Sequence, residues 1–266
     1  MKNSLLQSIK RQVRKRFKPS PYGWFGNFQS WNQALQETTG YDQQAILEKV
    51  KEATLKVKCG EAVYERDSVL FEEIQYSKPL LETLQEIAEK NNGVKVIDFG
   101  GSLGSSYFQN REILDRFPSS RWNVVEQENF VACGKECIAS GQLCFFESVD
   151  ECIRQNGLPD LLLLSCTLPY IKEPYDLLTF LAGKNIRFFM IDNTPFNFLN
   201  ADRLTIQKVP PAIYTASYPC WFLDYEKVKG TLEKQYKVRK EFTNDSVIEL
   251  DYRPLQYKGC LFELKL

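Results

Sequence analysis

From residue 94 onward, short apolar runs alternate with longer segments of helical pattern. Runs of five or six residues are typical of strands, and the longer segments between them are typical of helices. The predicted strands lie near residues 94–99, 121–126, 142–146, 160–165 and 186–191, and the predicted helices near 104–116, 128–140, 148–156 and 173–183. Strands that alternate with helices in this way form a parallel sheet. Residues 161–164 and 188–191 are apolar without interruption, as expected for central strands covered on both faces.

The C-terminal part of the chain departs from this alternation. A helix is predicted to begin near Asp224, and residues 236–242 and 257–264 have the pattern of two further strands joined by a loop rather than by a helix. A loop connection of this kind is typical of an antiparallel hairpin. The predicted fold class is therefore α/β, with a Rossmann-like sheet of seven strands that is mostly parallel and whose last strand is antiparallel.

The residues before the sheet are predicted to form an N-terminal helical cap, residues 19–92. Amphipathic patterns cover residues 30–38, 42–57, 61–76 and 78–90. The sheet domain then covers residues 93–266, and it contains an insertion at about 195–223 that is rich in proline and aromatic residues.

A short basic tail precedes the cap. Residues 1–18 carry seven basic side chains and no acidic one, whereas the rest of the chain has 27 basic and 34 acidic side chains. Leu6, Ile9, Val13 and Phe17 would share one face of a helix, so the tail is suited to peripheral contact with an anionic membrane surface. A short helix docked on its own domain, or a solvated tail, is the alternative. Because the remainder is acidic, nucleic acid is not an expected partner.

Composition narrows the classes of function. The chain has 266 residues, of which 43% are hydrophobic, and no apolar run of the roughly 18 residues that span a bilayer, so a cytoplasmic location is expected. There is no histidine, which excludes Ser-His-Asp and Cys-His nucleophile systems and histidine metal sites. The eight cysteines form no C-x-x-C motif, so reduced thiols are expected and no metal site is predicted.

The most informative motif is the turn after the first predicted strand. Residues 98–104, Asp-Phe-Gly-Gly-Ser-Leu-Gly, place a carboxylate at the end of a strand and glycines before a helix, where bare backbone can approach a nucleotide-like ligand. The spacing does not fit Gly-x-Gly-x-x-Gly, because Ser102 and Ser105 stand where that dinucleotide fingerprint requires glycine. It fits the looser Asp-x-Gly-x-x-x-Gly pattern of S-adenosylmethionine (SAM) binders.

Five separated motifs resemble one family. They occupy residues 65–71 (ERDSVLF), 98–104 (DFGGSLG), 122–127 (WNVVEQ), 216–221 (ASYPCW) and 257–259 (YKG). In this order they are similar to a group of bacterial class I SAM-dependent methyltransferases encoded among surface-polysaccharide genes, and the resemblance covers nearly the whole chain after about residue 22. Two positions depart from the pattern: Ser102 stands where class I enzymes usually have glycine, and Asn193 where this family often has arginine.

The resemblance implies SAM as the cofactor. The implied cofactor-binding residues are Asp98, Gly100, Gly101, Ser102, Gly104, Glu126, Gln127, Ser148, Ser165 and Arg66. In this interpretation Asp98 contacts the ammonium group of the cofactor directly or through water, Glu126 accepts hydrogen bonds from the ribose hydroxyls, and Ser148 lies where such folds read the adenine. Arg66 would hold the methionine carboxylate, and an ion pair with Glu65, Glu72 or Glu73 is the alternative for this side chain.

The implied reaction is methyl transfer to an oxygen or nitrogen of a small polar acceptor, with a sugar or nucleotide-sugar intermediate as one candidate. Asp192, and after it Tyr218, are the candidate general bases, and Tyr218 belongs with Tyr214 and Trp221 to the predicted acceptor pocket. Two alternatives remain open. One is an NAD-dependent nucleotide-sugar enzyme, against which the glycine spacing argues. The other is a non-catalytic methyltransferase-like scaffold in a membrane-associated complex. The oligomeric state is not predicted.

Overall fold

The computed structural model describes residues 20–38 and 43–266. The basic tail, with its predicted membrane contact, lies outside these residues. Within them, no helix combines the length and the apolar character that a membrane span requires.

The cap region combines helices with strands. Its elements are β1 (Gly23–Phe28), α1 (Trp31–Gln36), α2 (Gln43–Lys58), β2 (Tyr64–Arg66), β3 (Val69–Phe71) and α3 (Lys78–Asn91). The three helices were predicted, but the amphipathic helix predicted over residues 61–76 is wrong. Strands β2 and β3 form an antiparallel hairpin there. Asp67 and Ser68 make its turn, both with positive φ (53° and 65°), which a helix does not permit.

The sheet domain begins with the predicted alternation. Its elements are β4 (Lys95–Phe99), α4 (Ser105–Asp115), β5 (Arg121–Val125), α5 (Glu128–Cys133), β6 (Leu143–Phe146), α6 (Val149–Asn156), β7 (Leu161–Ser165), α7 (Pro174–Ala182) and β8 (Phe188–Thr194). The predicted helix over 128–140 shortens to α5 and continues as a π-helical turn, Gly134–Ile138. These five strands pair in parallel with one another. Residues 161–164 are fully buried, as expected for a strand between two helical layers.

The remaining elements close the sheet and build the insertion. They are β9 (Arg203–Lys208), β10 (Ser217–Phe222), α8 (Tyr225–Leu232), β11 (Tyr236–Leu250) and β12 (Arg253–Leu264). Strand β12 lies between β11 and β8 and is antiparallel to both, which gives the strand order β11-β12-β8-β7-β4-β5-β6. A seven-stranded sheet with this order and one inserted antiparallel strand is the class I methyltransferase fold. The predicted fold class is confirmed, and the hairpin is longer than predicted.

A second sheet joins the cap region to the insertion. Strand β1 pairs antiparallel with β9, and β9 pairs with β10. Below this sheet, α1 buries Ala34 against Leu204 and Ile206 of β9. The segment after residue 20 therefore belongs structurally to the insertion, an arrangement that the sequence pattern did not predict.

Candidate functional site

The candidate site lies at the carboxyl end of the parallel strands. Strand β4 has β5 on one side and β7 on the other, so the chain changes direction across the sheet at β4. In open α/β sheets, ligands bind in the crevice outside such a topological switch point. The predicted glycine turn follows β4 directly and therefore lies in this crevice.

Contacts with three neighbouring segments fix the glycine turn. Gly100 has φ of +74°, and its N–H donates to the carbonyl of Val125 at 2.9 Å. A Cβ on Gly100 would lie 2.4 Å from Thr167 Cγ2, and a Cβ on Gly101 would lie 2.5 Å from the Asp98 carboxylate. The close packing of the Thr167 and Asp98 side chains against the turn thus requires glycine at both positions.

The last part of the turn has left-handed backbone conformations at Ser102 and Gly104 and leads directly into α4. Gly104 has φ of +94° and precedes the first residue of α4, and Ser102 has φ of +54°. Glycine adopts the left-handed conformation of Ser102 without steric cost, which explains why related turns carry glycine there. Both positions keep the turn narrow beside the crevice.

Asp98 lies underneath the turn. Its carboxyl is 1% exposed and accepts a hydrogen bond from Trp122 Nε1 at 3.1 Å. Burial raises the pKa of Asp98 to about 7, and the Trp122 hydrogen bond opposes this shift. The carboxyl therefore changes charge near neutral pH.

This shift predicts a pH dependence of stability. Between about pH 4 and pH 7 the folded protein keeps the Asp98 proton that the unfolded chain has lost, so the free energy of unfolding falls as pH rises through this window. Asp98→Asn cannot ionise, and we expect a shallower fall from pH 5 to pH 8. Urea titrations of both proteins at several pH values measure this. Parallel curves for the two proteins would show that Asp98 ionises normally.

Glu126 directly follows β5. Its backbone N–H donates to the carbonyl of Phe146 at 3.1 Å, which aligns the ends of β5 and β6. The Gln127 N–H donates to the Glu126 carboxylate at 2.7 Å, and Gln127 is itself exposed at the start of α5. Burial raises the pKa of Glu126, and backbone donors from Gln127 and Ser102 oppose the shift. The Ser102 contact places Glu126 beside the glycine turn.

Ser148 and Ser165 occupy different settings. Ser148 caps α6, since its hydroxyl accepts from the Glu151 N–H at 3.1 Å, while the Glu151 carboxylate accepts from the Glu147 N–H at 3.2 Å. The Ser148 contact is the N-cap half of a capping box, and the Glu151 carboxylate reaches back to the residue before the cap. Ser165 ends β7 and pairs in register with Asp192 of β8.

The β2–β3 hairpin brings Arg66 to the site. Its guanidinium donates to Gln75 Oε1 at 3.2 Å and lies 5.6 Å from the centroid of Phe71. In the part of the chain that the structure describes, Arg66 forms no ion pair, so the alternative pairing with a neighbouring glutamate is not observed. Arg66 therefore remains available to an anionic group.

Asp192 lies near the carboxyl end of β8. It is 1% exposed, and its carboxylate accepts a hydrogen bond from Asn244 Nδ2 at 3.0 Å. Burial raises its pKa, and the Asn244 contact opposes the shift. Its backbone carbonyl accepts from the N–H of Cys166, which has φ of +55°. Asp192 thus lies beside the end of β7, where the fourth parallel strand enters the crevice.

Tyrosines from the insertion and from the end of β7 form one cluster. The rings of Tyr170 and Tyr218 meet edge to face with centroids 5.4 Å apart, and the hydroxyls of Tyr214 and Tyr218 are 3.4 Å apart. Burial, followed by the neighbouring Tyr214, raises the pKa of Tyr218 well above its usual range. Trp221 does not join them, because it packs towards Trp31 of α1.

Three residues at the site are not among those predicted from the sequence. Glu65 is buried against the start of α4, Asn244 holds Asp192, and Tyr257 lies close enough to Asp67 and Cys166 for their charges to raise its pKa, which burial raises most. Glu65 and Tyr257 belong to motifs that were recognised. No local signal distinguishes Asn244, which enters the site only because the closing hairpin is long.

The site is acidic. Its carboxyls are Glu65, Asp67, Asp98, Glu126 and Asp192, and Arg66 is the cation among the site residues described above. They act on one another, since Glu126 and Asp192 both raise the pKa of Asp98 after burial does. Among residues 20–38 and 43–266, no three potential ligands are arranged to hold a metal ion. The electrostatic potential of these carboxyl groups favours the binding of a cationic ligand and disfavours the binding of a diphosphate.

Models of protein families and curated proteins were both compared with the sequence, and neither comparison finds a match. Solved structures show similar chain paths. The N-terminal domain of EvdMO1, crystallised in the presence of S-adenosylhomocysteine (SAH) and D-fucose, aligns over 85% of this chain and 98% of its own, with 16% identity and a TM-score of 0.46.

Two further structures align comparably. An O-methyltransferase family protein from Burkholderia thailandensis aligns over 86% of this chain and 65% of its own, with 13% identity and a TM-score of 0.46. Magnesium protoporphyrin IX methyltransferase (ChlM) from Synechocystis PCC 6803, with bound SAH, aligns over 84% and 100%, with 11% identity and a TM-score of 0.45. Likeness at this level carries no functional argument, and the fold class stands on strand order and direction.

Proposed function

We propose that the protein is a SAM-dependent methyltransferase that acts on an oxygen or nitrogen of a small polar acceptor. The observation that carries this proposal is the acidic crevice at the switch point, where a glycine turn, Asp98 and Glu126 lie together. SAM combines a sulfonium, an ammonium group and a ribose diol, and it carries no phosphate. Such a ligand suits carboxylates and bare backbone.

The chain's residues fit this ligand as follows. Gly100, Gly101, Ser102 and Gly104 provide the backbone beneath the amino-acid end, and Asp98 supports the turn and acts on the ammonium group through water. Glu126 accepts hydrogen bonds from the ribose hydroxyls, since a carboxylate pairs well with a diol. Arg66, whose guanidinium also donates to Gln75, receives the methionine carboxylate.

Three further residues are assigned to the same site. Gln127, exposed beside Glu126, and Ser148, at the start of α6, lie at the ends of β5 and β6, and they are proposed to line the adenine side. Ser165, in register with Asp192, is proposed to line the side of the transferred methyl group. The hydroxyl of Ser148 already accepts one hydrogen bond as the cap of α6, which leaves its O–H donor and its second lone pair for the ligand.

SAM supplies an electrophilic methyl group when it is bound. The protein's part is to hold the acceptor in line, to exclude water and to receive a proton when the acceptor is a hydroxyl. We assign the proton to the Asp192 carboxylate. Tyr218 is a poor base near neutral pH because its pKa is raised, so it is proposed to donate a hydrogen bond to the acceptor instead.

The acceptor is proposed to be a sugar or nucleotide-sugar intermediate of surface-polysaccharide synthesis. Support comes from the tyrosine cluster, because aromatic rings with hydroxyl groups suit both the C–H face and the hydroxyls of a sugar. The predicted cytoplasmic location and the membrane contact of residues 1–18 remain predictions.

Titration calorimetry tests the proposal. We expect the protein to bind SAH and SAM and not NAD, whose diphosphate the carboxylates repel. Glu126→Gln, which removes the charge and keeps the shape, should weaken SAH binding roughly tenfold. Glu147→Gln, an exposed change after the neighbouring strand, is the matched control and should leave the affinity unchanged. Binding of NAD in preference to SAH would favour the oxidoreductase, and binding of none of the three ligands would favour the non-catalytic scaffold.

A further inference from the structure

Glu65 is a buried carboxyl that the proposed roles leave unused. It is 1% exposed, it belongs to β2, and it accepts hydrogen bonds from the Ser105 hydroxyl and from the Ser68 N–H at 3.3 Å. Ser105 is the first residue of α4, immediately after the glycine turn. The hairpin thus delivers a carboxyl to the point where the turn becomes a helix.

Among residues 20–38 and 43–266, no basic side chain forms an ion pair with Glu65. Burial raises the pKa of Glu65 to about 7, and the hydrogen bond from Ser105 and the charge of Arg66, its neighbour in sequence, lower the pKa only in part. Burying a carboxylate without a counter-charge is costly. The start of α4 offsets part of this cost through its dipole, but a carboxylate with two hydrogen bonds retains further acceptor capacity.

Asp98 and Glu65 lie on different sides of the glycine turn. Its carboxyl lies under Gly101, where a Cβ would come within 2.5 Å of it, and it already accepts from Trp122. The Asp98 carboxyl therefore lies behind the backbone of Gly101, which suits the contact through water proposed above. Glu65 reaches the same turn from the hairpin side, so it can contact a group that lies on the turn.

We propose that Glu65 binds the ammonium group of the cofactor's amino-acid end, delivered by the β2–β3 hairpin and oriented by Ser105. This inference rests on the proposed function. It assigns opposite charges of the amino-acid end to two neighbouring residues of one strand, the ammonium group to Glu65 and the carboxylate to Arg66. The hairpin, a feature that replaces a predicted helix, then recognises the zwitterion.

The experiment compares two ligands that differ at this end. SAH carries the amino-acid group, and 5′-methylthioadenosine lacks it. We expect Glu65→Gln to weaken SAH binding roughly 10- to 100-fold in calorimetry and to leave the affinity for 5′-methylthioadenosine unchanged, because a charge-assisted hydrogen bond is lost for one ligand alone. Equal weakening of both ligands would overturn the proposal and make Glu65 a structural residue. Unchanged SAH affinity would also overturn it.

Glu72→Gln is the matched control, because it neutralises an exposed carboxyl just after β3 and should leave SAH affinity unchanged. Ser105→Ala tests the orienting contact: it removes the hydroxyl that holds Glu65 and keeps the carboxylate, so SAH affinity should fall roughly threefold, less than with Glu65→Gln. A loss equal to that of Glu65→Gln would identify the contact between the two residues, rather than the charge, as the important feature. If Glu65→Gln does not fold, Glu65→Asp is compared with the same two ligands. This variant keeps the charge but shortens the side chain by one methylene group. Unmodified protein that binds no SAH would overturn the proposed function itself.

Discussion

Asp192→Asn is expected to bind SAH with unchanged affinity and to lose turnover by roughly 10²- to 10⁴-fold with a hydroxyl acceptor. The substitution keeps the size of the side chain and removes its ability to take a proton. It should fold, because Asn244 Oδ1 has no hydrogen-bond partner among the described residues and can accept from the new amide. The measurements are SAH formation with an acceptor that the unmodified protein methylates, and SAH binding by calorimetry.

Asn244→Ala provides a control with a different signature. The Asn244 hydrogen bond opposes the raised pKa of Asp192, so removing it should raise that pKa further. A general base must be deprotonated to act. In a plot of kcat against pH, the rise on the acidic side should therefore move to higher pH. Asp192→Asn with full activity, or an Asn244→Ala profile that does not move, would remove Asp192 from the reaction and leave it a structural role at the end of β8.

The crevice could be predicted because local patterns specify it. A strand, a glycine turn and a helix are recognisable within thirteen residues, and parallel strands necessarily bring their carboxyl ends to one edge. Asp98 and Glu126 were therefore predicted to lie near one another, and in the structure the two carboxyls are close enough for Glu126 to raise the pKa of Asp98. The pairing of Ser165 with Asp192 follows from the same geometry.

The hairpin could not be predicted because its burial breaks the usual pattern. Glu65 is buried beside Tyr64 in β2, so two successive residues point into the protein, and one of them is charged. The turn needs two left-handed residues, yet Asp67 and Ser68 are weaker signals than Asn-Gly. The charges and apolar positions of residues 61–76 consequently match a helix better than the hairpin that forms.

The other features that the sequence did not predict depend on strands that pair across long stretches of the chain. Strand β1 pairs with β9 across most of the chain, and no local signal in either segment identifies the partner. Asn244 lies in the part of β11 beyond residue 242, where alternating exposure and polar residues obscured the strand. For Ser148, in contrast, a local signal is present. Residues 148–151 have the Ser-x-x-Glu pattern of a capping box, and the role of Ser148 as a helix cap competes with the ligand contact assigned to it.

Gly100→Ala is expected to destabilise the protein by about 2–4 kcal/mol and to abolish measurable SAH binding. Two costs combine. An alanine at φ of +74° is strained, and its Cβ would lie 2.4 Å from Thr167 Cγ2. Thr167 cannot move freely, because its hydroxyl donates to the carbonyl of Phe99 at 2.9 Å, and the turn itself must shift. Urea denaturation measures the first effect and calorimetry the second.

Two companion variants separate these costs. Gly141→Ala, at a glycine with no positive φ and no neighbour within 4 Å of its Cβ, should be neutral or stabilising by up to about 1 kcal/mol. Adding Thr167→Ser to Gly100→Ala removes the clashing methyl, so stability should recover in part. The backbone strain of about 1–2 kcal/mol and the contact of the new Cβ with the retained hydroxyl oxygen at 2.9 Å would remain. Complete recovery would assign the whole effect to packing. A Gly100→Ala protein as stable as Gly141→Ala would mean that the chain after β4 does not turn as described. The proposed ligand site at this turn would then be rejected as well.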